Sequence, residues 1–133
     1  MKLSILVLAY NQERYIERTI ESIATQIIDI DNSEIVIADD CSLDNTQSII
    51  KKMAKKYHFV KPIFNKKNLG VIANYFNAIR HCSGDLFMVC GGDDYFLPNK
   101  IRTELDFMEN NPDVALCCSG IKEVDSKGRL IRS

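Results

Sequence analysis

The 133-residue chain is 46% hydrophobic and 26% charged, enough apolar side chain to bury a core of single-domain size and too much for a disordered tail. Its 17 basic and 18 acidic residues include no long block of one sign, which argues against a nucleic-acid stripe or a polybasic membrane patch. The five cysteines, Cys41, Cys82, Cys90, Cys117 and Cys118, show no C-x-x-C pair and no histidine at zinc-ligand spacing, so neither a zinc module nor a disulfide framework is indicated and a reducing cytoplasm is expected.

Residues 3–9 form a nearly continuous β-type run, as expected of a central strand covered on both faces. No signal-peptide cleavage site follows it, and no apolar run is long enough to span a membrane. Asn11 is placed to cap a helix in which Ile16, Ile20, Ile23, Ala24 and Ile27 recur at spacings of three and four. Residues 34–38 read as a second strand. Asp44 and Gln47 then have the spacing of a capping box, opening a helix with Ile49, Ile50, Met53, Ala54 and Tyr57 inward. Lys51-Lys52, Lys55-Lys56 and Lys66-Lys67 coat a solvated helix and loop.

Residues 59–64 read as a weaker third strand that Pro62 pushes to an edge, followed by a polar turn over 65–70. A third helix is expected to turn Ile72, Tyr75, Phe76 and Ile79 inward. Residues 86–90 form another strand of buried type, and Pro98 fits the first turn of a helix bearing Ile101, Leu105 and Met108. Asn110-Asn111-Pro112 stops that helix, residues 114–119 read as a last strand, and Asp125 to Gly128 as a turn with Leu130-Ile131 returning in a short hairpin. Repeated β-then-α units predict an α/β fold: a Rossmann-like three-layer α/β/α arrangement around a mainly parallel, right-handed wound sheet, as one domain over 1–133.

Two acidic pairs stand at strand ends: Asp39-Asp40 after the second strand, Asp93-Asp94 after the fourth and the hinge Gly91-Gly92. In an open α/β sheet the ligand crevice lies outside those ends, so both pairs can converge on one site. There is no G-x-G-x-x-G or P-loop, so a phosphorylated ligand needs its charge neutralised by other means. Mg²⁺ or Mn²⁺ held by carboxylates and the phosphates is the usual alternative, and Asp93-Asp94 suits it. Asp39 and Asp40 can accept hydrogen bonds from a nucleoside, the Tyr10 ring can stack on a base, and Asn68 and Gly70 open a loop facing the same crevice. Each feature alone also fits a turn, a cap or packing; their common side of one sheet favours a site.

The segments LSILVLAYNQ (3–12), IVIADDCSLDNT (35–46), KNLG (67–70) and GDLFMVCGGDDYFLPNK (84–100) resemble, in order and spacing, the family 2 inverting glycosyltransferases of GT-A fold. The resemblance covers residues 3 to about 120. It implies a nucleotide-sugar donor, usually a UDP-sugar, with Ala9, Tyr10, Asn11 and Asp40 near the uracil and Asp39 beside them. Asp93 is then expected on the ribose or donor sugar, and Asp94 on Mn²⁺ or Mg²⁺, with Asp93 as a second candidate ligand. The implied reaction is transfer to an acceptor hydroxyl with inversion, in surface polysaccharide or glycoconjugate synthesis. The acceptor is expected to be a glycan or lipid-linked, a setting that allows peripheral membrane association.

The sequence departs from the family pattern at Cys41, where many relatives have Gly, and at Asn74-Tyr75-Phe76-Asn77, which lacks the arginine many relatives carry there. The general base is expected beyond Ser133, which makes the chain the donor-binding part of a longer enzyme, truncated before the acceptor-binding segment. Asp125 reads as a turn residue. A non-catalytic nucleotide-sugar-binding or scaffold module is the alternative. A receiver-type signalling domain is a distant third, because it needs its acidic pair directly after the first strand.

Overall fold

The computed structural model describes residues 2–133, in two compact units: one ending at Pro98, the other Asn99–Ser133. The first unit is built from β1 (Leu3–Ala9), α1 (Ile16–Ile27), β2 (Ser33–Asp39), α2 (Thr46–Lys56), β3 (Val60–Phe64), α3 (Val71–Ile79) and β4 (Leu86–Gly91). Its four strands are all parallel, in the order β3-β2-β1-β4. Right-handed crossovers moving from β1 to β3 leave α1 and α2 on one face, and the return from β3 to β4 puts α3 on the other. The expected parallel sheet with flanking helices is therefore present, and β3, with Pro62, is an edge.

Strand alternation divides the core between the two faces. Ile5, Val7, Ile35 and Ile37 are wholly buried on one side, together with the predicted α1 stripe Ile16, Ile20, Ile23, Ala24 and Ile27. Each such isoleucine contributes about 1.5–3 kcal/mol of transfer free energy. On the α3 side Leu6, Ala38 and Ala78 pack with Leu8, Ile63, Tyr75, Ile79 and Cys82. Here α3 departs from expectation: Ile72 and Phe76 are exposed, and the buried positions are Asn74 and Ala78. Polar bonding decides this, because Asn74 Nδ2 donates to the Ala38 carbonyl at 2.9 Å and its Oδ1 accepts from Asn65 at 2.8 Å. A satisfied buried amide thus holds the helix where an apolar stripe was expected.

β4 is less enclosed than its apolar run suggests. Phe87 and Val89 lie opposite Ser4 and Leu6, on the α3 face, yet both are about half exposed, since α3 lies over β1 and β2. Residues 114–119 form no strand, and Leu116 is exposed. The second unit contains α4 (Lys100–Asn110) and the predicted hairpin, β5 (Glu123–Val124) against β6 (Leu130–Arg132). Pro98 precedes α4 rather than entering its first turn.

At the opposite end of the sheet from the acidic pairs, Glu34 is buried with its carboxylate surrounded by donors. Ser4 Oγ donates at 2.6 Å, Ser83 N at 2.7 Å, Ser83 Oγ at 2.8 Å and Lys61 Nζ at 2.5 Å. Burial alone would raise its pKa; the bonds from Lys61, Ser4 and Ser83 outweigh burial and bring it from 4.5 down to about 2. Because the folded pKa is depressed, the unfolded chain binds the extra proton. The stabilisation is present above about pH 4.5 and lost as pH falls toward 2, an upper bound of about 3 kcal/mol given the exposed Lys61 head. Glu34→Gln is therefore expected to lower stability at neutral pH and to flatten its decline in acid, which urea midpoints measured across that range would register. An unchanged acid slope would contradict this role.

Candidate functional site

The strands β1, β2 and β4 end at Ala9, Asp39 and Gly91, and the sequence-predicted residues all follow these ends or the loop after β3. Ala9 is buried and its carbonyl accepts from Asp40 N at 2.8 Å, which joins the ends of β1 and β2. The Asp40 side chain accepts from Leu69 N and Gly70 N, both at 2.8 Å, and from Asn65 Nδ2 at 2.9 Å. Asn68 Nδ2 donates to the Asp40 carbonyl at 3.3 Å. Gly70, at φ 82°, occupies the left-handed region that favours glycine. Ala9, Asp40, Asn68 and Gly70 are thus one connected set, in which Asp40 orders the loop before α3.

Asp39 orders the neighbouring loop. It is fully buried and accepts from Ser42 N at 3.0 Å, from Ser42 Oγ and from Gln47 Nε2 at 2.7 Å. Gln47 therefore does not close the expected capping box. Asp44 instead accepts from Thr46 N at 2.9 Å, inside the same turn. Nor does Asn11 cap α1, whose N-cap is Tyr15 without a side-chain bond. Asn11 takes φ 50°, donates from its N–H to Ser42 Oγ at 2.9 Å and accepts from Leu43 N at 2.8 Å, joining the β1 loop to the β2 loop. Cys41, where the resemblance expects Gly, has φ 64°, a conformation costing a non-glycine residue roughly 1–2 kcal/mol. A carboxylate offers about four acceptor sites; Asp39 and Asp40 each use three of them on their own loops and are buried, so their carboxylates act first as loop organisers.

Tyr10 is 45% exposed at the mouth of this arrangement. Its N–H lies 3.4 Å from Oε1 of Gln12, and that same oxygen lies 2.1 Å from where a β-carbon on Gly92 would stand. Gly92 N also donates to the Leu8 carbonyl at 2.9 Å, so the turn after β4 is held against the end of β1 with no room for a side chain. Gly91 does a second job. A β-carbon there would lie 3.0 Å from Asp93 Oδ1 and 3.0 Å from Asp94 Oδ2, so both carboxylates converge over one bare backbone position.

Neither Asp93 nor Asp94 forms an ion pair among the described residues. Partial burial of its carboxyl raises the pKa of Asp94, and the negative charge of Asp93 raises it further. Two converging acids without a cation, in a hard oxygen set, fit a divalent ion of the Mg²⁺ or Mn²⁺ type. No group of three or more His, Cys, Asp or Glu side chains gathers at metal-binding distance among the described residues, so water and ligand phosphates would have to complete the coordination.

Gln12, Ser42 and Asn65, which tie these loops together, were not anticipated from sequence; polar residues in turns give no signal that separates them from solvent-facing ones. Asp125 is a turn residue as expected, its carboxylate accepting from Lys127 N and Arg129 N at 2.9 Å and from Arg129 Nε at 2.7 Å.

The pattern of the family described as Glycosyl transferase family 2 matches residues 4–133. A glycosyltransferase of Methanocaldococcus jannaschii is 29% identical over 130 residues, covering 97% of this chain and 44% of that protein. A dolichyl N-acetyl-α-D-glucosaminyl phosphate 3-β-D-2,3-diacetamido-2,3-dideoxy-β-D-glucuronosyltransferase of Methanococcus voltae is 33% identical, covering 85% of this chain and 37% of that protein. S. aureus TarS in complex with UDP-GlcNAc superposes with a TM-score of 0.77 at 28% identity, over 84% of this chain and 32% of that one. The mannosyltransferase PcManGT of Pyrobaculum calidifontis, in complex with GDP-Man and Mn²⁺, shares the fold with a TM-score of 0.74 at 20% identity, over 80% of this chain and 32% of that one. The chain spans less than half the length of these curated relatives. With this match over nearly its whole length and a parallel α/β sheet shared with glycosyltransferase structures, the chain belongs to glycosyl transferase family 2 and has the GT-A fold.

Proposed function

We propose that the chain forms the donor-binding part of a metal-dependent inverting glycosyltransferase, moving a sugar from a nucleotide-sugar, a UDP-sugar above all, to an acceptor hydroxyl. The observation that carries this reading is the convergence of Asp93 and Asp94 over Gly91 at the end of β4, in a chain of this family. In this reading Asp94 is the principal ligand for Mn²⁺ or Mg²⁺, with Asp93 as a second ligand or as a contact to the ribose or donor sugar. Tyr10 offers its exposed ring to the base, and Ala9, Asn11, Asp39, Asp40, Asn68 and Gly70 line the nucleoside end.

When bound, the metal supplies Lewis-acid stabilisation of the departing diphosphate. The protein's own contribution is position: loops tied by Asp39 and Asp40 keep the nucleoside end fixed, and the bare Gly91-Gly92 backbone keeps both acids aimed together. Asp125 is not assigned as the general base that takes the acceptor proton, since its carboxylate is committed to its turn. A glycan or lipid-linked acceptor and a cytoplasmic role in surface-glycan synthesis complete the reading. No helix among the described residues is long and apolar enough to cross a membrane.

The full-length protein, given a labelled UDP-sugar and a hydroxyl acceptor, is expected to form a product of inverted anomeric configuration by NMR. Retained configuration would overturn the inverting assignment, and binding of the donor without transfer or hydrolysis would favour a non-catalytic binding module.

A further inference from the structure

The loop that carries Asp93 and Asp94 is bonded along its main chain to one face of α1. Thr19, Ser22 and Gln26 stand at helical spacings of three and four, so their side chains form one stripe on that helix. Thr19 is buried, and its hydroxyl lies 2.9 Å from the Gly92 carbonyl and 2.5 Å from the Asp94 carbonyl; its one proton serves these two acceptors. One turn on, Ser22 Oγ donates to the Thr19 carbonyl at 2.8 Å and accepts from Phe96 N at 3.0 Å. Another turn on, the Gln26 amide donates to the Ser22 carbonyl at 2.8 Å and to the Leu97 carbonyl at 3.0 Å. Arg18, beside the stripe, stacks on Tyr95 with its Cζ 3.5 Å from the ring centroid. Residues 92–97 therefore run along α1 with successive peptide groups bonded to successive turns of the helix.

We infer that Thr19, with Ser22 and Gln26 behind it, positions the acidic turn: it fixes the peptide carbonyl of Asp94 and thereby the direction in which the Asp94 carboxylate leaves the backbone. The inference rests on the donor-site reading above. Thr19 touches neither a donor nor a metal in this arrangement; it acts through the loop. A core threonine needs only one acceptor, and its own helix offers the Tyr15 carbonyl at 3.3 Å. The nearer pair of loop carbonyls shows that the hydroxyl is directed at the turn after β4. Sheet packing would be served equally by valine, which has the same shape without the donor, so the hydroxyl is the part that the loop requires.

The test compares Thr19→Val with Thr19→Ser in the full chain, by calorimetry of UDP binding with Mn²⁺ and with excess chelator and by hydrogen exchange of residues 91–97. Thr19→Val is expected to weaken Mn²⁺-dependent UDP binding about tenfold, to leave metal-free UDP binding unchanged and to speed exchange in 91–97 relative to β1 and β2, with Thr19→Ser restoring all three. Should Thr19→Val fail to fold, Ser22→Ala, which removes the bond from Phe96 N to Ser22 Oγ, is expected to show the same selective loss. Mn²⁺-dependent binding that survives in the variant overturns the inference alone, as does an equal loss with and without metal. Wild-type protein whose UDP affinity ignores Mn²⁺ overturns the donor-site reading itself, and the inference with it.

Discussion

Asp94→Asn is expected to lower Mn²⁺-dependent UDP affinity about a hundredfold, about 2.8 kcal/mol at 1.4 kcal/mol per decade, while leaving the melting temperature nearly unchanged. The asymmetry follows from the environment of the side chain. Its carboxylate has no cation among the described residues, and burial together with Asp93 disfavours its ionised form in the unliganded fold. Removing that charge relieves a repulsion rather than breaking a bond, so a stabilising role predicts a result of the opposite sign. Asparagine keeps the size and one oxygen but loses the charge a hard divalent ion needs. Calorimetric titration beside thermal unfolding of the same protein separates the two effects; a variant that unfolds while the wild type does not would assign Asp94 to structure.

Asp40→Asn is expected to behave in the reverse manner, with a loss of about 2–4 kcal/mol in stability concentrated in residues 65–70. Its two carboxylate oxygens each receive a backbone N–H of that loop, Leu69 on Oδ1 and Gly70 on Oδ2. An amide NH₂ in place of either oxygen sets donor against donor and costs a partly buried loop N–H its charged acceptor, at about 1–3 kcal/mol. Asn65 also donates to Oδ1, so an NH₂ at that position costs it this bond as well, and its bonds with Asn74 and Asn77 are then expected to loosen with it. UDP binding falls as a consequence, with and without metal alike, because the loop that lines the nucleoside end is no longer ordered. Urea unfolding with hydrogen exchange reads this directly, and wild-type stability in the variant would mean that Asp40 does not build the loop.

These two aspartates show how far the sequence could be read. Both were recognisable as ends of β-type runs, because the β1, β2 and β4 segments have the composition of strands and parallel sheets gather ligand groups at the same edge. Whether an acidic side chain at such an edge faces a ligand or its own loop is a matter of which N–H groups the loops present, and that depends on contacts over 29 and 30 residues of separation for Asp40. The same limit applies to α3. Its Ile72 and Phe76 have the spacing of a buried stripe, but Asn74 wins the interior through its bond to Ala38, and hydropathy counts an amide as polar whatever its partners. Residues 114–119 have the composition of a strand, yet a strand exists only when a neighbour accepts its main-chain bonds, and the described residues supply none there. Thr19 sat in plain sight within the α1 stripe; only its distance to the loop carbonyls distinguishes it from a core residue.

The most direct measurement is calorimetric titration of UDP into the protein with saturating Mn²⁺ and again with excess chelator, with GDP and ADP as controls. The account predicts binding that is selective for UDP and much weaker, though still measurable, once the metal is chelated. Binding of equal strength without metal would contradict the role given to Asp93 and Asp94, and no binding of any nucleotide would leave a shared fold without a donor site.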